Sequence, residues 1–422
     1  MKDNILKFIK DNKVIISLFI ILMAVHLFLP LNWADDAVFL KKAADKDILT
    51  FLNGSARPFT DGFTYVFSRN QWLWRILNPL VLTACIWSVH KTAPLKTKNN
   101  KTLIMCSAVL FPTFILVDAG FIATTVNYLW PVTFGILNLI PSVNSLCGKK
   151  TNKLFLLSLI PLLVYATNMQ QLCAVLLAIF MTVIFYLFFK KKKIIPFIFM
   201  QFLITVAGTF FSLYVNFTGD NSRISRETGR YFPDFGELNF VEKFDLGFSS
   251  TFYCMTMEIR QAFAGFIIFA ILLAVFMFKT NKNAIQKAIS LIPAVFSLVF
   301  GIVSLIPDSD SVLFGFLTNE MYHPRLEKAV YSFNLIPDIL FAFVCIISMY
   351  SIWVLIDNIK YKIISEFIFL LGLGSRILMG FSPTVWASGY RTFCIFFISF
   401  IYISLIIIDQ SKTNSIKGSK KH

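Results

Sequence analysis

The sequence predicts an all-α polytopic membrane protein with about twelve transmembrane helices. Three observations predict it. Apolar residues make up 57% and charged residues 15% of 422 positions, and the mean hydropathy is +0.71, more than a soluble fold of this length carries. The apolar runs are continuous over about 17–23 residues, where barrel strands would alternate over about 10. The lysines gather in alternate short loops, which is the positive-inside pattern.

That pattern also accounts for the net charge of +16, so nucleic acid is not an expected partner. The seven cysteines (Cys85, Cys106, Cys147, Cys173, Cys254, Cys345 and Cys394) show neither metal-ligand nor CxxC spacing. All but Cys254 fall in or at the ends of expected spans, and they read as small apolar fillers. The 48 phenylalanines read as lipid-facing and packing surface.

Taken in order, the basic head (Lys2, Lys7, Lys10, Lys13) precedes an apolar run too long for a secretion signal and without a small-x-small cleavage site, so 14–31 is read as a retained first span. A polar first outer loop follows, 32–75. Spans are then expected at 76–89, 102–117, 128–146, 154–167, 172–189 and 194–217. The segment 118–127 between the third and fourth is read as a short polar connection. An outer loop, 218–260, leads to spans at 261–278 and 288–306. Another outer loop, 307–334, precedes spans at 335–356, 363–379 and 392–408, and a basic cytoplasmic tail, 409–422, closes the chain. The whole, 1–422, reads as one multi-span domain in the cytoplasmic (plasma) membrane with both termini cytoplasmic. Amphipathic helices in 36–75 and 236–260 are expected to lie along the outer membrane surface. Charges are expected to cluster at that face rather than at mid-span.

Lysine and arginine are segregated. Only Lys41, Lys42, Lys46, Lys243 and Lys328 fall on the expected outer side, whereas all ten arginines do. Sorting accepts either cation inside, so arginines kept outside point to bidentate contacts with phosphate or carboxylate. The plainer reading is that each pairs with a carboxylate on a wet surface. Arg376 and Arg391 sit at span ends, where an ionisable group is a functional hypothesis by default.

Asp35 and Asp36 follow the first span directly. One reading makes them the solvated first turn of a helix beginning Ala37-Val38-Phe39-Leu40; the other makes one of them a reacting carboxylate. Asp61 and Asp118 are further candidates. Asn127-Tyr128-Leu129-Trp130-Pro131 ends the 118–127 connection, and its aromatics also suit membrane-interface anchors.

A first span followed at once by Asp35-Asp36 in a large outer loop resembles the polytopic glycosyltransferases of the C superfamily. More closely, several phrases resemble an uncharacterised family of glucosyltransferase-like bacterial membrane proteins: Trp33-Ala34-Asp35-Asp36, Asn127-Tyr128-Leu129-Trp130-Pro131, Arg230-Tyr231-Phe232-Pro233-Asp234-Phe235, Ser375-Arg376-Ile377-Leu378-Met379-Gly380 and Ser388-Gly389-Tyr390-Arg391-Thr392. The resemblance implies a transferase that uses a polyprenyl-phosphate-linked sugar and a first-loop aspartate, acting on a glycan or wall-polymer acceptor at the outer face.

Under that implication Asp36 or Asp35 is the general base for the acceptor hydroxyl. Arg376 and Arg391, then Arg57, Arg75, Arg230 and Arg325, would hold the donor phosphate as its charge grows. Asp118, Asn127, Tyr128 and His323 would contact sugar or acceptor. A divalent cation, Mg or Mn, on Asp35 and Asp36 is compatible but not demanded. No phosphate loop, zinc motif or nucleophile elbow is present in the sequence. The competing readings are an envelope polysaccharide polymerase or ligase, a lipid-linked-glycan flippase, and a scaffold of an envelope-assembly complex.

Overall fold

The computed structural model describes residues 12–53, 55–111, 119–191, 195–217, 223–257, 259, 261–303 and 335–419. Among them the secondary structure is helical, with no strand. The helices fall into two compact units, one ending at Gly219 and one formed by Asp220–His422 with the short segment Pro94–Lys96.

The first unit contains α1 (Lys13–Phe28), α2 (Ala34–Asp45), α3 (Ile48–Leu52), α4 (Pro58–Arg69), α5 (Gln71–Thr92), α6 (Asn100–Cys106), α7 (Phe121–Leu146), α8 (Lys153–Ala166), α9 (Gln170–Phe189) and α10 (Pro196–Phe217). α7 packs on α5 and α8, α1 packs on α5, and α9 packs on α10. Trp130 sits among Phe63, Phe67, Phe134 and Tyr165. It is 3% exposed and donates Nε1–H to Asn78 Oδ1 at 2.7 Å, so it is a core residue and not an interface anchor. Asn78 Nδ2 then meets His26 Nε2 at 2.8 Å, and His26 Nδ1 meets the Leu22 carbonyl at 2.7 Å. Since Trp130 fixes the Asn78 oxygen as acceptor, the Asn78 amide donates and His26 carries its N–H on Nδ1. This chain ties α1, α5 and α7 together.

The second unit contains α11 (Arg223–Tyr231), α12 (Phe240–Phe252), α13 (Gln261–Phe278), α14 (Ala284–Val303), α15 (Leu335–Leu355), α16 (Ile359–Ile377) and α17 (Cys394–Ser419). α13 packs on α14, α14 on α15, and α16 on α17. Phenylalanines 369, 396, 400 and 269 fill the α16–α17 side. Phenylalanines 252, 296, 300 and 341 fill the other.

Eight helices among the described residues are long and apolar enough to cross a membrane: Gln71–Thr92, Phe121–Leu146, Gln170–Phe189, Pro196–Asn216, Ala284–Ile302, Asp338–Leu355, Ile359–Phe381 and Gly389–Ser411. The apolar helices Lys13–Phe28, Asn100–Leu110, Lys153–Ala166 and Ala262–Phe278 occupy the other four expected positions but are shorter. The protein is therefore a membrane-embedded helical protein, with eight helices of spanning length against the twelve expected.

One boundary moves substantially. The connection expected at 118–127 is helical from Phe121 onward, and α7 runs through a π turn at Thr125–Leu129. Its polar residues are compatible with a helix because they return hydrogen bonds to their own backbone. Thr125 Oγ1 donates to the Phe121 carbonyl at 2.7 Å, and Asn127 Nδ2 donates to the Ala123 carbonyl at 3.0 Å.

Candidate functional site

The Asp35-Asp36 pair begins α2, but neither side chain caps that helix: the N-cap is Trp33, without a side-chain cap bond. Ala34 turns left-handed, with φ 49°, just before the pair. Asp36 is only 2% exposed. Its Oδ1 accepts from the Ala123 amide at 2.8 Å and its Oδ2 from the Ile122 amide at 3.0 Å. It therefore caps the N-terminus of α7, 86 residues further along the chain, where unsatisfied amides and the helix dipole favour an anion. The solvated first turn expected from the sequence is replaced, at Asp36, by a buried cap between elements. Gly120 makes room for it: its φ is +95°, and a Cβ there would lie 2.6 Å from Asp36 Cγ. Trp33 meets Phe121 edge-on with centroids 6.1 Å apart.

Burial pushes the Asp36 carboxyl up from 3.8 to about 6, against the opposing pull of the Ala123, Ile122 and Phe121 amides, and the Asp35 charge adds to the rise. Asp35 is half-buried beside it.

The other first-loop helices are fastened to the same end of the unit. The Phe59 amide in the first turn of α4 donates to Asn168 Oδ1 at 3.1 Å, just past α8. Asp61 Oδ2 accepts from Ser55 at 2.5 Å, and Asp61 Oδ1 lies 4.0 Å from Arg57 Nη2. Arg57 and Asp61 remain about a quarter and a fifth exposed (25% and 21%). Asn127, in the π turn of α7, lies 3.5 Å from Thr64 Oγ1 of α4, and its own Oδ1 is buried without a hydrogen-bond partner. Tyr128 is half-buried next to it. Arg75 is already committed: it donates to the carbonyls of His26 and Leu29 at the end of α1, the latter at 2.9 Å, and its guanidinium stacks over Trp72. It caps the C-terminal end of that helix.

In the second unit the two motif stretches 230–235 and 375–391 meet. Phe232 and Phe235 pack with Leu238, Leu246 and Val385, with Met379 and Trp386 against them. α12 approaches the end of α16 without room for side chains: a Cβ on Gly247 would fall 2.1 Å from the Ile377 carbonyl oxygen, and one on Gly380 2.0 Å from that of Lys243. Arg376, in the last turn of α16, is wholly buried. Its guanidinium stands 4.7 Å over the Phe393 ring, with the Cys254 thiol beside it. Its Nε and Nη1 have no acceptor. Arg391 Nε donates to the Ser388 carbonyl at 2.9 Å, next to a hydroxyl chain in which Ser388 donates to Thr384 at 2.8 Å and Thr384 meets Ser382 at 2.9 Å. Arg230 is exposed and stacks on Tyr231.

Asp118, His323 and Arg325 lie outside the described residues. Among the described residues no group of three or more His, Cys, Asp or Glu side chains forms a metal site. Each Asp36 oxygen accepts from a backbone amide.

Several polar groups were not singled out from the sequence. Asn168 is one, and no local pattern marks it. Asp245 of α12 and Asp338 of α15 lie beside each other. Glu366 stands within the spanning helix Ile359–Phe381 with both carboxyl oxygens buried and unpartnered, so charge is not confined to helix ends. The signal for Glu366 was present in the sequence, as a lone acid within an apolar run.

In comparison with known proteins, the chain matches no family model, no curated protein and no solved structure.

Proposed function

We propose that the protein is an integral membrane glycosyltransferase that moves a sugar from a polyprenyl-phosphate donor to a cell-envelope acceptor on the outer face. What supports this reading most is how the first-loop helices are held. Asp36 and Asn168 fasten α2 and α4 to the ends of apolar helices, and Asp35, Arg57 and Asp61 stay partly open on that fixed frame. Positioning of this kind is what transfer to a hydroxyl needs, because a base acts only within hydrogen-bond reach of the proton it removes.

In this reading Asp36 is the anchor and Asp35 the base. The Asp36 oxygens are directed at backbone amides, whereas its neighbour is half-buried at the rim. Asp35 takes the acceptor proton as the hydroxyl oxygen bonds to the anomeric carbon. The bond from that carbon to the phosphate oxygen breaks, and its electron pair leaves with the lipid phosphate. Arg57 is the arginine of this unit best placed to meet that growing charge, being only loosely paired with Asp61.

Sugar transfer by the protein in lipid nanodiscs, from a polyprenyl-phosphate-linked hexose to a glycan acceptor, tests this. Asp35→Asn is expected to lower kcat by roughly 10²-fold or more, the usual contribution of a general base. Unchanged transfer by that variant would remove Asp35 from the mechanism.

One observation favours a second reading, a lipid-linked-glycan flippase: the unpartnered Glu366 inside a spanning helix. Lipid movement without any transfer, abolished by Glu366→Gln and indifferent to Asp35→Asn, would select it.

A further inference from the structure

The lysine-bearing end of the first unit carries charge that its own loops do not offset. The stretch 91–101 holds Lys91, Lys96, Lys98 and Lys101, and the stretch 149–153 holds Lys149, Lys150 and Lys153. Apart from Asp118, the sequence has no acid between Asp61 and Asp220. Asp3 and Asp11 of the basic head lie outside the described residues. The second unit differs. There Lys282 lies 3.5 Å from Asp357, and Asp409 accepts from the Lys96 amide at 2.8 Å.

Two fixed loops present these lysines. Asn99 caps α6: its Oδ1 accepts from the Thr102 amide at 3.0 Å, and the Thr102 hydroxyl accepts from the Asn99 amide at 2.9 Å. Thr102 Oγ1 also meets His90 Nε2 of α5 at 3.0 Å. After α7, Gly148 turns left-handed with φ +70°. The Lys149 amide then donates to the Asn144 carbonyl at 2.8 Å, and Asn144 Nδ2 donates to Thr151 Oγ1 at 3.0 Å. The Lys98 ammonium folds back onto the Lys91 carbonyl. Partial burial there lowers its pKa from the ordinary lysine value, and the charges of Lys91 and, less strongly, Lys149 lower it further. Three ammonium groups from separate stretches are thus held within electrostatic reach of one another.

We propose that Lys91, Lys98 and Lys149 form a surface site for the headgroup of an anionic phospholipid. Charge complementarity calls for an anion, because an opposite charge relieves like charges held together. What adjoins the lysines calls for a lipid. Lys91 Nζ stands 5.5 Å over the Trp87 ring, and Trp87 meets Phe155 of α8 edge-on with centroids 6.3 Å apart. Tryptophan beside lysine at a helix end is the pattern of a membrane interface. Leu154 and Leu157, in the first turns of α8, are 76% and 63% exposed. They offer acyl chains an apolar surface that begins next to the Lys149 loop, and a soluble anion would leave that surface unused. The site lies at the other end of α7 from the Asp36 cap and is independent of the sugar-transfer reading.

The test uses the full chain in micelles of a neutral detergent with equal amounts of phosphatidylcholine and phosphatidylglycerol, and native mass spectrometry counts the lipid that stays bound. Phosphatidylglycerol should be retained over phosphatidylcholine by at least about tenfold, and added inorganic phosphate should not displace it. In Lys98→Gln/Lys149→Gln the ratio should fall to near parity. Lys282→Gln/Lys360→Gln removes the same formal charge from the second unit, where Asp357 lies beside Lys282, and should keep most of the preference. In phosphatidylcholine nanodiscs, added phosphatidylglycerol should raise the thermal midpoint of the unsubstituted protein and of that control, but not of Lys98→Gln/Lys149→Gln. Equal retention of the two lipids by the unsubstituted protein would overturn the site. So would a preference that survives Lys98→Gln/Lys149→Gln, or one lost equally in both variants, which would mean diffuse attraction to any lysine. Displacement by inorganic phosphate would make it a general anion site and refute the lipid assignment.

Discussion

Asp36 shows how one side chain can decide the order of a membrane-proximal loop. Replacing it by Asn keeps one acceptor but turns an NH₂ towards a backbone amide that also donates. The loss of a charge-assisted cap and a mismatched buried donor should cost about 1–3 kcal/mol, read as a lower thermal midpoint at neutral pH. The pH dependence has a definite sign. The folded state holds the Asp36 proton up to about 6, against 3.8 ordinarily. This group's titration therefore favours the fold fully below pH 3.8, and that contribution is lost as pH rises through about 6. Asp36→Asn should flatten that slope, and an unchanged slope would place the titration elsewhere. Gly120→Ala meets both a left-handed backbone and the Asp36 carboxyl, and should cost roughly 2–4 kcal/mol in the same measurement. At Ala34 the sign reverses: its φ of 49° suits glycine, so Ala34→Gly should raise the midpoint. Arg376→Met, which removes a buried charge with no carboxylate paired to it among the described residues, should leave the protein as stable or more so.

At the scale of elements, α4 and α12 share an asymmetry. α4 buries Thr60, Thr64, Tyr65, Phe67 and Ser68 and turns Phe59, Phe63 and Val66 outward. α12 buries Asp245, Leu246 and Ser249 and turns Phe240, Val241 and Phe244 outward. Large apolar side chains on the outer face, over buried hydroxyls and a carboxylate, are the reverse of a helix in water. Both stripes should face lipid, so spin labels at positions 63 and 244 should be relaxed by oxygen more than by a water-soluble nickel chelate. The opposite preference would put these helices in water. That helices occur in 36–75 and near 240–252 was legible from spacing. That their hydroxyls would point inward was not, because Thr64 and Asn127 find each other only once α4 lies on α7. The start of α7 was misread for a related reason. Thr124, Thr125 and Asn127 look like a loop to any reading of polarity, but Thr125 and Asn127 return hydrogen bonds to the preceding turn, which a helix accommodates.

For the whole molecule, composition was sufficient for the class, and the apolar runs located every helix of spanning length among the described residues. The finer count was not legible, since a run such as Lys153–Ala166 can be apolar and still too short to cross unaided. Lys282 meets Asp357 at 3.5 Å, and the Lys96 amide donates to Asp409 at 2.8 Å, each joining segments assigned to the cytoplasmic side. Sidedness itself is testable with single cysteines in a cysteine-free background: Asn70→Cys should react with an impermeant maleimide in intact cells, and Lys279→Cys only after lysis. The reverse result would invert the topology and move the proposed chemistry to the cytoplasm. The two candidate sites were legible to different degrees. Asp35, Asp36 and Arg376 stood out as charges beside oil, whereas Asn168 and Cys254 acquire meaning only from what folds against them.

The bond between Asp36 and the start of α7 also sets an order of assembly. A chain emerging from the ribosome makes Asp36 long before it makes Ile122 and Ala123. Until that later stretch has been synthesised and inserted, the carboxylate has water but no amides, and α2 has nothing to dock on. The first loop must therefore wait, unfinished, through the insertion of the helices that follow it. Its completion is a report that the next fifth of the protein has arrived in the right place.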